Sequence, residues 1–252
     1  LHAMSKRGAW NAHWLERRDA RIPAAAATDK ALYAVVLNKL LRCDAKTGEW
    51  ITLADDAWTV RARGGEIWAL TTDGVLRYQE ETAETSRFTG GNGPTRGRGI
   101  NIALTPGACY VISEPIYDEK AAKFEGGGIS RFDYASGEWT TIQEVAGRDV
   151  RFATAITVDG KDAWVACMLY EKVAELGAHP GMAHVKRWRP IADDLGLIHL
   201  SDGQATLLVA GRDLKTEQRW IMGQKGTVKQ DHVGPEKIVS LRRCGDRIWG
   251  VY

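Results

Sequence analysis

Leu41-Arg42-Cys43-Asp44-Ala45-Lys46-Thr47-Gly48-Glu49-Trp50 and Ser130-Arg131-Phe132-Asp133-Tyr134-Ala135-Ser136-Gly137-Glu138-Trp139 are two copies of one pattern. Each runs as a short strand, turns through Asp and Gly, and resumes on a Trp, which is how two antiparallel strands are joined by a tight polar turn. Leu1-His2-Ala3-Met4-Ser5-Lys6-Arg7-Gly8-Ala9-Trp10 follows the same spacing at the start of the chain. A hairpin that recurs points to a repeat architecture, so the next question is its period.

A second recurrent unit supplies that period. A polar turn precedes a strand carrying an aromatic residue in Thr28-Asp29-Lys30 before Tyr33, Arg63-Gly64-Gly65 before Trp68, and Pro106-Gly107 before Tyr110. The unit returns in Asp159-Gly160-Lys161 before Trp164 and in Cys244-Gly245-Asp246 before Trp249, with Leu207 in the slot of a sixth copy after Asp202-Gly203. Successive slots lie 35, 42, 54, 43 and 42 residues apart, and the interval from Trp249 through the two ends to Tyr33 is 36. One unit of about 40 residues is the length of a four-stranded propeller blade. The expected fold is therefore all-β, a β-propeller of six four-stranded blades in a single domain over 1–252. Inner strands are expected near 21–28, 57–63, 99–105, 151–158, 195–201 and 237–243. Five blades is the alternative, if 195–235 is one decorated region, and a fragment of a larger ring is the third possibility. The chain begins in a hairpin and stops just after an aromatic strand, so the N-terminal outer strands are expected to pair with the C-terminal inner strands and close the ring.

Over nearly its whole length the sequence resembles the β-propellers, in particular those whose repeats carry a D-x-x-[ST]-G-x-W hairpin: the kelch-like, quinoprotein-like and streptogramin-lyase-like propellers. Here that motif is Asp44 to Trp50 and Asp133 to Trp139. The resemblance implies architecture, because the hairpin reflects turn chemistry and propellers of every functional class carry a version of it. Quinoprotein blades place the Trp later after the Gly, so no quinone cofactor is implied.

Composition excludes several classes of function. Lys and Arg number 34 against 32 Asp and Glu, for a formal charge of +2, and no run of five like charges occurs, which argues against a dedicated nucleic-acid binder. The longest apolar runs, such as Ala31 to Leu37, fall far short of the roughly 18 residues of a membrane-spanning helix. Cys43, Cys109, Cys167 and Cys244 are scattered without metal-ligand spacing and read as small buried hydrophobes. The run Gly90 to Gly99 is glycine-rich, but no Gly-Lys-Ser/Thr follows it, so it is not a phosphate loop.

Candidate functional residues lie where the period is broken. Glu114–Gly128 lengthens the third repeat and Leu169–Met182 the fourth, both between second and third strands, on what would be the upper face of adjacent blades. Long insertions in compact domains are functional or disordered, and these hold enough apolar side chains to be ordered. Tyr117, Phe124 and Tyr170 are the candidate ligand platforms, with Arg96 and Arg98 in the preceding crossover. The same aromatics also suit a small loop core. A second set is an acid near the start of most inner strands: Asp19, Asp56, Asp149, Asp194 and Glu236. These either ring an axial channel and hold Ca2+ or another divalent ion, or cap the turns between blades, or form rim ion pairs with the adjacent Arg18, Arg21, Arg148 and Arg151. His179 and His232 are the candidate proton-transfer groups, although no catalytic motif contains them.

Two classes of function follow. One is a binding module that offers the loops of blades three and four to a protein or glycan. The other is a metal-assisted hydrolase or lyase of a small lactone- or ester-type substrate at the channel mouth, chemistry that the resemblance to streptogramin-lyase-like and lactonase-like propellers implies.

Overall fold

The structure is a computed structural model that describes residues 2–4, 10–12, 22–118, 120, 123–172, 188–213, 218–223, 226–230, 240–244 and 247–251, with side chains over 22–118, 120, 123–168 and 196–207. Apart from one 3-10 turn at Gly90–Asn92, every regular element among them is a β-strand, and no helix is long and apolar enough to cross a membrane. Backbone contacts divide the chain into two compact units, Leu1–Ser86 and Arg87–Tyr252.

In the first unit, β1 (His2–Met4) and β2 (Trp10–Ala12) pair antiparallel as a two-stranded sheet, which is the hairpin expected of Leu1 to Trp10. β3 (Ala24–Ala27), β4 (Ala31–Val36), β5 (Lys39–Asp44) and β6 (Trp50–Ala54) form one antiparallel four-stranded sheet in chain order. β7 (Ala57–Arg63), β8 (Glu66–Thr71), β9 (Gly74–Gln79) and β10 (Glu84–Thr89) form the next, β10 running across the division between the units. The apolar core of this unit is built on Tyr33, Leu40, Val60, Ile67 and Leu76.

The second unit holds β11 (Arg98–Leu104), β12 (Ala108–Glu114), β15 (Gly128–Asp133) and β16 (Trp139–Ile142) as a third four-stranded sheet, with the hairpin of β13 (Ile116–Asp118) and β14 (Lys123–Glu125) inserted between its second and third strands. A short ladder, β17 (Glu144–Val145) with β18 (Arg148–Asp149), leads into β19 (Ala153–Asp159), β20 (Asp162–Lys172), β21 (Trp188–Ser201) and β22 (Gln204–Asp213). These four strands continue through β23 (Gln218–Gly223) and β24 (Gly226–Gln230) as one sheet of six, because β22 pairs with β21 along its first half and with β23 along its second. β25 (Ser240–Cys244) and β26 (Arg247–Val251) form a two-stranded sheet, and β25 lies beside β19. Tyr110, Ile112, Ile129, Ile156, Val165 and Ile198 are central to the core here.

Segments 57–63, 99–105 and 151–158 are the first strands of their sheets, as expected, but 195–201 is not. It lies in β21 and pairs with β20 from Ala163↔Leu200 to Met168↔Leu195, as the third strand of the sheet that β19 begins. The insertion between β20 and β21 sets 195–201 a full repeat length beyond 151–158, so the spacing imitated a new blade.

The recurrent hairpin forms for a specific reason. Asp44 Oδ1 accepts hydrogen bonds from the backbone N–H of Lys46 (2.9 Å) and Thr47 (3.1 Å), and Asp133 Oδ1 does the same for Ala135 (2.9 Å) and Ser136 (3.0 Å). Gly48 (φ +74°) and Gly137 (φ +73°) then close each turn in the left-handed region that glycine adopts without strain. Backbone N–H donation holds both carboxyls below the ordinary Asp range, with Arg42 and Arg131 adding to the effect. The folded state thus favours the carboxylate, so the contribution to stability is complete above the unfolded pKa of about 3.9 and is lost as the pH falls through the lowered folded value. Asp44→Asn with Asp133→Asn is therefore expected to flatten the acid limb of a stability-against-pH curve below about pH 4. A limb superimposable on that of the wild type would show that the turn carboxylates contribute nothing.

Four of the sheets share a pairing that the periodicity did not expose. The aromatic slot on the second strand faces a cationic or titratable residue on the third: Tyr33↔Arg42, Trp68↔Arg77, Tyr110↔Arg131 and Trp164↔His199. The Arg77 guanidinium carbon sits 5.5 Å from the Trp68 ring centroid, and His199 stacks on Trp164 at 4.2 Å and 18°. A guanidinium over an aromatic face contributes on the order of 0.5–1 kcal/mol at exposed sites and more when desolvated. Cys43, Cys109 and Cys167 are buried thiols within their sheets, as their scatter suggested.

Candidate functional site

The insertion of the third sheet is an ordered hairpin. β13 and β14 pair in the register Ile116↔Glu125, Tyr117↔Phe124 and Asp118↔Lys123, and Asp118 Oδ1 accepts the Lys120 N–H at 2.9 Å where the chain begins to turn. Tyr117 and Phe124, directly opposite, meet edge to face at 5.1 Å, and Phe124 in turn meets Phe152 at 4.9 Å and 85°. Glu125 accepts from Arg96 Nη1 at 2.9 Å and lies 3.3 Å from Lys123 Nζ.

The base of the hairpin is fixed through backbone. Gly126, Gly127 and Gly128 all have positive φ (+66°, +71° and +100°). A Cβ on Gly126 would overlap the Arg96 carbonyl, one on Gly127 would come within 2.7 Å of Pro115, and one on Gly128 within 2.7 Å of the Ile142 oxygen. This close approach lets Gly127 N–H donate to Arg96 O (2.8 Å), Gly128 N–H to Arg151 O (2.9 Å), and Gln143 Nε2 to the Gly126 and Gly127 carbonyls (3.1 Å each). Arg151 Nη1 donates to Phe124 O at 2.9 Å, and its guanidinium is held by Asp149 through bonds of 3.0, 3.0 and 2.6 Å.

Beside this hairpin lies an open groove of about 370 Å³ lined by Arg96, Ile116, Tyr117, Asp118, Lys120 and Glu125. Ile116 is 45% exposed, one of the large apolar side chains that reach solvent in this structure. The groove offers an apolar and aromatic strip flanked by charges of both signs, a composition suited to a polar partner with an apolar anchor.

Three of the expected binding residues, Arg96, Tyr117 and Phe124, are thus brought together, although Phe124 is used mainly in packing. Arg98 is exposed at the start of β11, opposite Glu114, and does not line the groove. Tyr170 pairs with Pro190 in backbone register, where β20 and β21 run on past the sheet, and its side chain lies outside the described residues. Of the five acids, Asp149 is committed to Arg151, while Asp56 is in the first unit, its backbone oxygen accepting from Thr72 N–H at 3.1 Å. Asp194 is in β21 with its side chain outside the described residues, and Asp19, Glu236, His179 and His232 lie outside them entirely. Among the described residues no group of three or more His, Cys, Asp or Glu is placed to hold a metal ion. Arg151 was expected as an ion-pair partner of the neighbouring acids, and its guanidinium pairs with Asp149. Phe152 and Gln143 were not singled out from the sequence.

No protein-family model matches the chain, and no curated protein does. Solved structures do match. The extracellular domain of a one-component system from B. thetaiotaomicron aligns with 99% of this chain at a TM-score of 0.51 and 13% identity, and this chain covers 36% of its length. PorZ, a surface component of the type-IX secretion system of Porphyromonas gingivalis, aligns with 92% of the chain and over 35% of its own, at a TM-score of 0.43 and 10% identity. YCF48 bound to D1 peptide aligns with 87% of this chain and over 81% of its own, at 0.41 and 14%. At such identities a likeness speaks to fold alone. The first match establishes an all-β, propeller-like arrangement of antiparallel sheets, of which this chain spans about a third of the matched domain.

Proposed function

We propose that the protein is a binding module, a β-propeller that takes a protein or glycan partner on the insertions of its third and fourth blades. The observation that carries this reading is the braced β13–β14 hairpin. The sheets of the first unit join their second and third strands through two residues each, at 37–38 and 72–73, whereas the third sheet spends an extra pair of strands there. Those strands are held by glycine-dependent backbone contacts and present Tyr117 and Ile116 beside Arg96 and Lys120. Rigid aromatic and arginine anchors are the residue types that dominate binding energy at interfaces. The repeat spacing supports one ring over 1–252. The place of 195–201 as a third strand and of β25 beside β19 support five blades.

The test is an array of glycans and of peptides probed with wild-type protein and with the Tyr117→Ala, Arg96→Ala double variant. Loss of about ten-fold or more in affinity for the wild-type hits, with the melting temperature held, is expected. Hits that the double variant retains in full would sink the reading. A melting temperature that rises only with Ca2+ or another divalent ion, by the equivalent of roughly 2.7 kcal/mol at 100 times the dissociation constant, would instead favour the metal-assisted hydrolase or lyase.

A further inference from the structure

The two insertions are separate in sequence but are joined by one short crossover, Asp149–Phe152. On one side, Arg151 Nη1 donates to Phe124 O at 2.9 Å, Gly128 N–H donates to Arg151 O at 2.9 Å, and the Phe152 ring meets Phe124 at 4.9 Å, so the crossover grips the β13–β14 hairpin by backbone and by ring. On the other, Met168 N–H donates to Phe152 O at 3.0 Å. Met168 is on β20 two residues before Tyr170, and the ladder shifts register between Met168 and Tyr170, where the strands leave the sheet as the second insertion. Asp149 fixes the guanidinium on both its Nε and Nη2 sides, so Arg151 is oriented before it reaches Phe124.

We infer that Asp149–Phe152 is a positioning clasp that couples the two insertions, so that the hairpin of the third sheet and the β20–β21 extension act as one recognition element. This rests on the binding reading above for its purpose, but not for its test. A ligand that orders one insertion meets a partner already held in register with it, because adjacent backbone carbonyls of the crossover hold both: Arg151 O accepts from Gly128 N–H and Phe152 O from Met168 N–H. Neither Arg151 nor Phe152 lines the groove, so both act as positioning residues.

Hydrogen exchange followed by mass spectrometry tests the coupling without any partner. In Phe152→Ala, exchange is expected to rise by about ten-fold in the segments covering both 116–125 and 164–172, with 57–79 of the first unit unchanged. Phe152→Leu, which keeps an apolar side chain there, is expected to restore most of the protection and serves as the readable variant if the alanine protein fails to fold. Arg151→Gln is expected to loosen 116–125 with a smaller response in 164–172. A rise confined to 116–125 in Phe152→Ala overturns the proposal, as does an equal rise across all three segments, which is simple global destabilisation. Absence of any hit on the arrays would remove the binding reading and leave this result standing. Independent exchange of the two insertions would remove the clasp and leave Tyr117 and Arg96 as candidates on their own.

Discussion

Gly126→Ala is expected to lower the stability of the second unit by about 2 to 5 kcal/mol, the sum of forcing an L-residue into the left-handed region and of overpacking against an unyielding neighbour. The neighbour decides the size. The new Cβ would overlap the carbonyl oxygen of Arg96, a backbone atom that already accepts from Gly127 N–H and has no rotamer to escape into. Relief requires the 94–97 crossover to part from the hairpin base, which gives up the Gly127 N–H bond to Arg96 O and the Arg96–Glu125 pair. Gly91→Ala is the matched control, since its Cβ would meet nothing within 4 Å and its φ is not positive. Denaturant unfolding of the two variants side by side measures the difference, and a Gly126→Ala protein within 1 kcal/mol of the control would mean that the hairpin base is much looser than described.

Trp68→Ala should cost about 3 to 5 kcal/mol, the range for deleting a fully buried large aromatic side chain. Trp68 is 0% exposed, carries Arg77 across its ring, and donates from Nε1 to Glu66 Oε2 at 3.4 Å, while Glu66 also pairs with Arg77. Truncation therefore opens a cavity and unseats an ion pair together. Trp139→Ala should cost clearly less, because that ring is only half-buried and packs at the sheet margin against Phe132 (5.3 Å) and Phe88 (5.8 Å). Equal losses for the two would contradict the division between buried slot aromatics and marginal hairpin tryptophans.

That division marks how far the sequence could be read. The hairpins from Asp44 and Asp133 were legible because an Asp accepting two backbone N–H groups and a left-handed Gly is chemistry local to seven residues. The slot aromatics were legible because they recur with the period. The assignment of 195–201 to a new blade failed because spacing alone does not distinguish a new inner strand from a third strand delayed by an insertion; only the register against Ala163–Met168 does. Tyr117 and Phe124 were singled out because the insertion interrupts the period, and Arg96 because it stands in the crossover before it. The bonds of Arg151 to Phe124 and of Phe152 to Met168 were missed because these partners are distant in sequence and no motif joins them. Of the uses that its position suggested for Asp149, the structure shows the turn cap and the ion pair: its Oδ1 accepts the Arg151 N–H at 2.9 Å and the carboxylate holds the Arg151 guanidinium.

The buried thiols give the sheets a chemical clock. Electrophiles and disulfides react with thiolate, and burial pushes Cys167 up to about 12, with Cys43 raised for the same reason. Cys43 on β5, Cys109 on β12 and Cys167 on β20 sit in three different sheets, so an alkylating reagent added to the native protein finds each only when that sheet opens. Followed peptide by peptide, so that Cys244 is told apart from them, the order in which these three are alkylated is the order in which their sheets come apart.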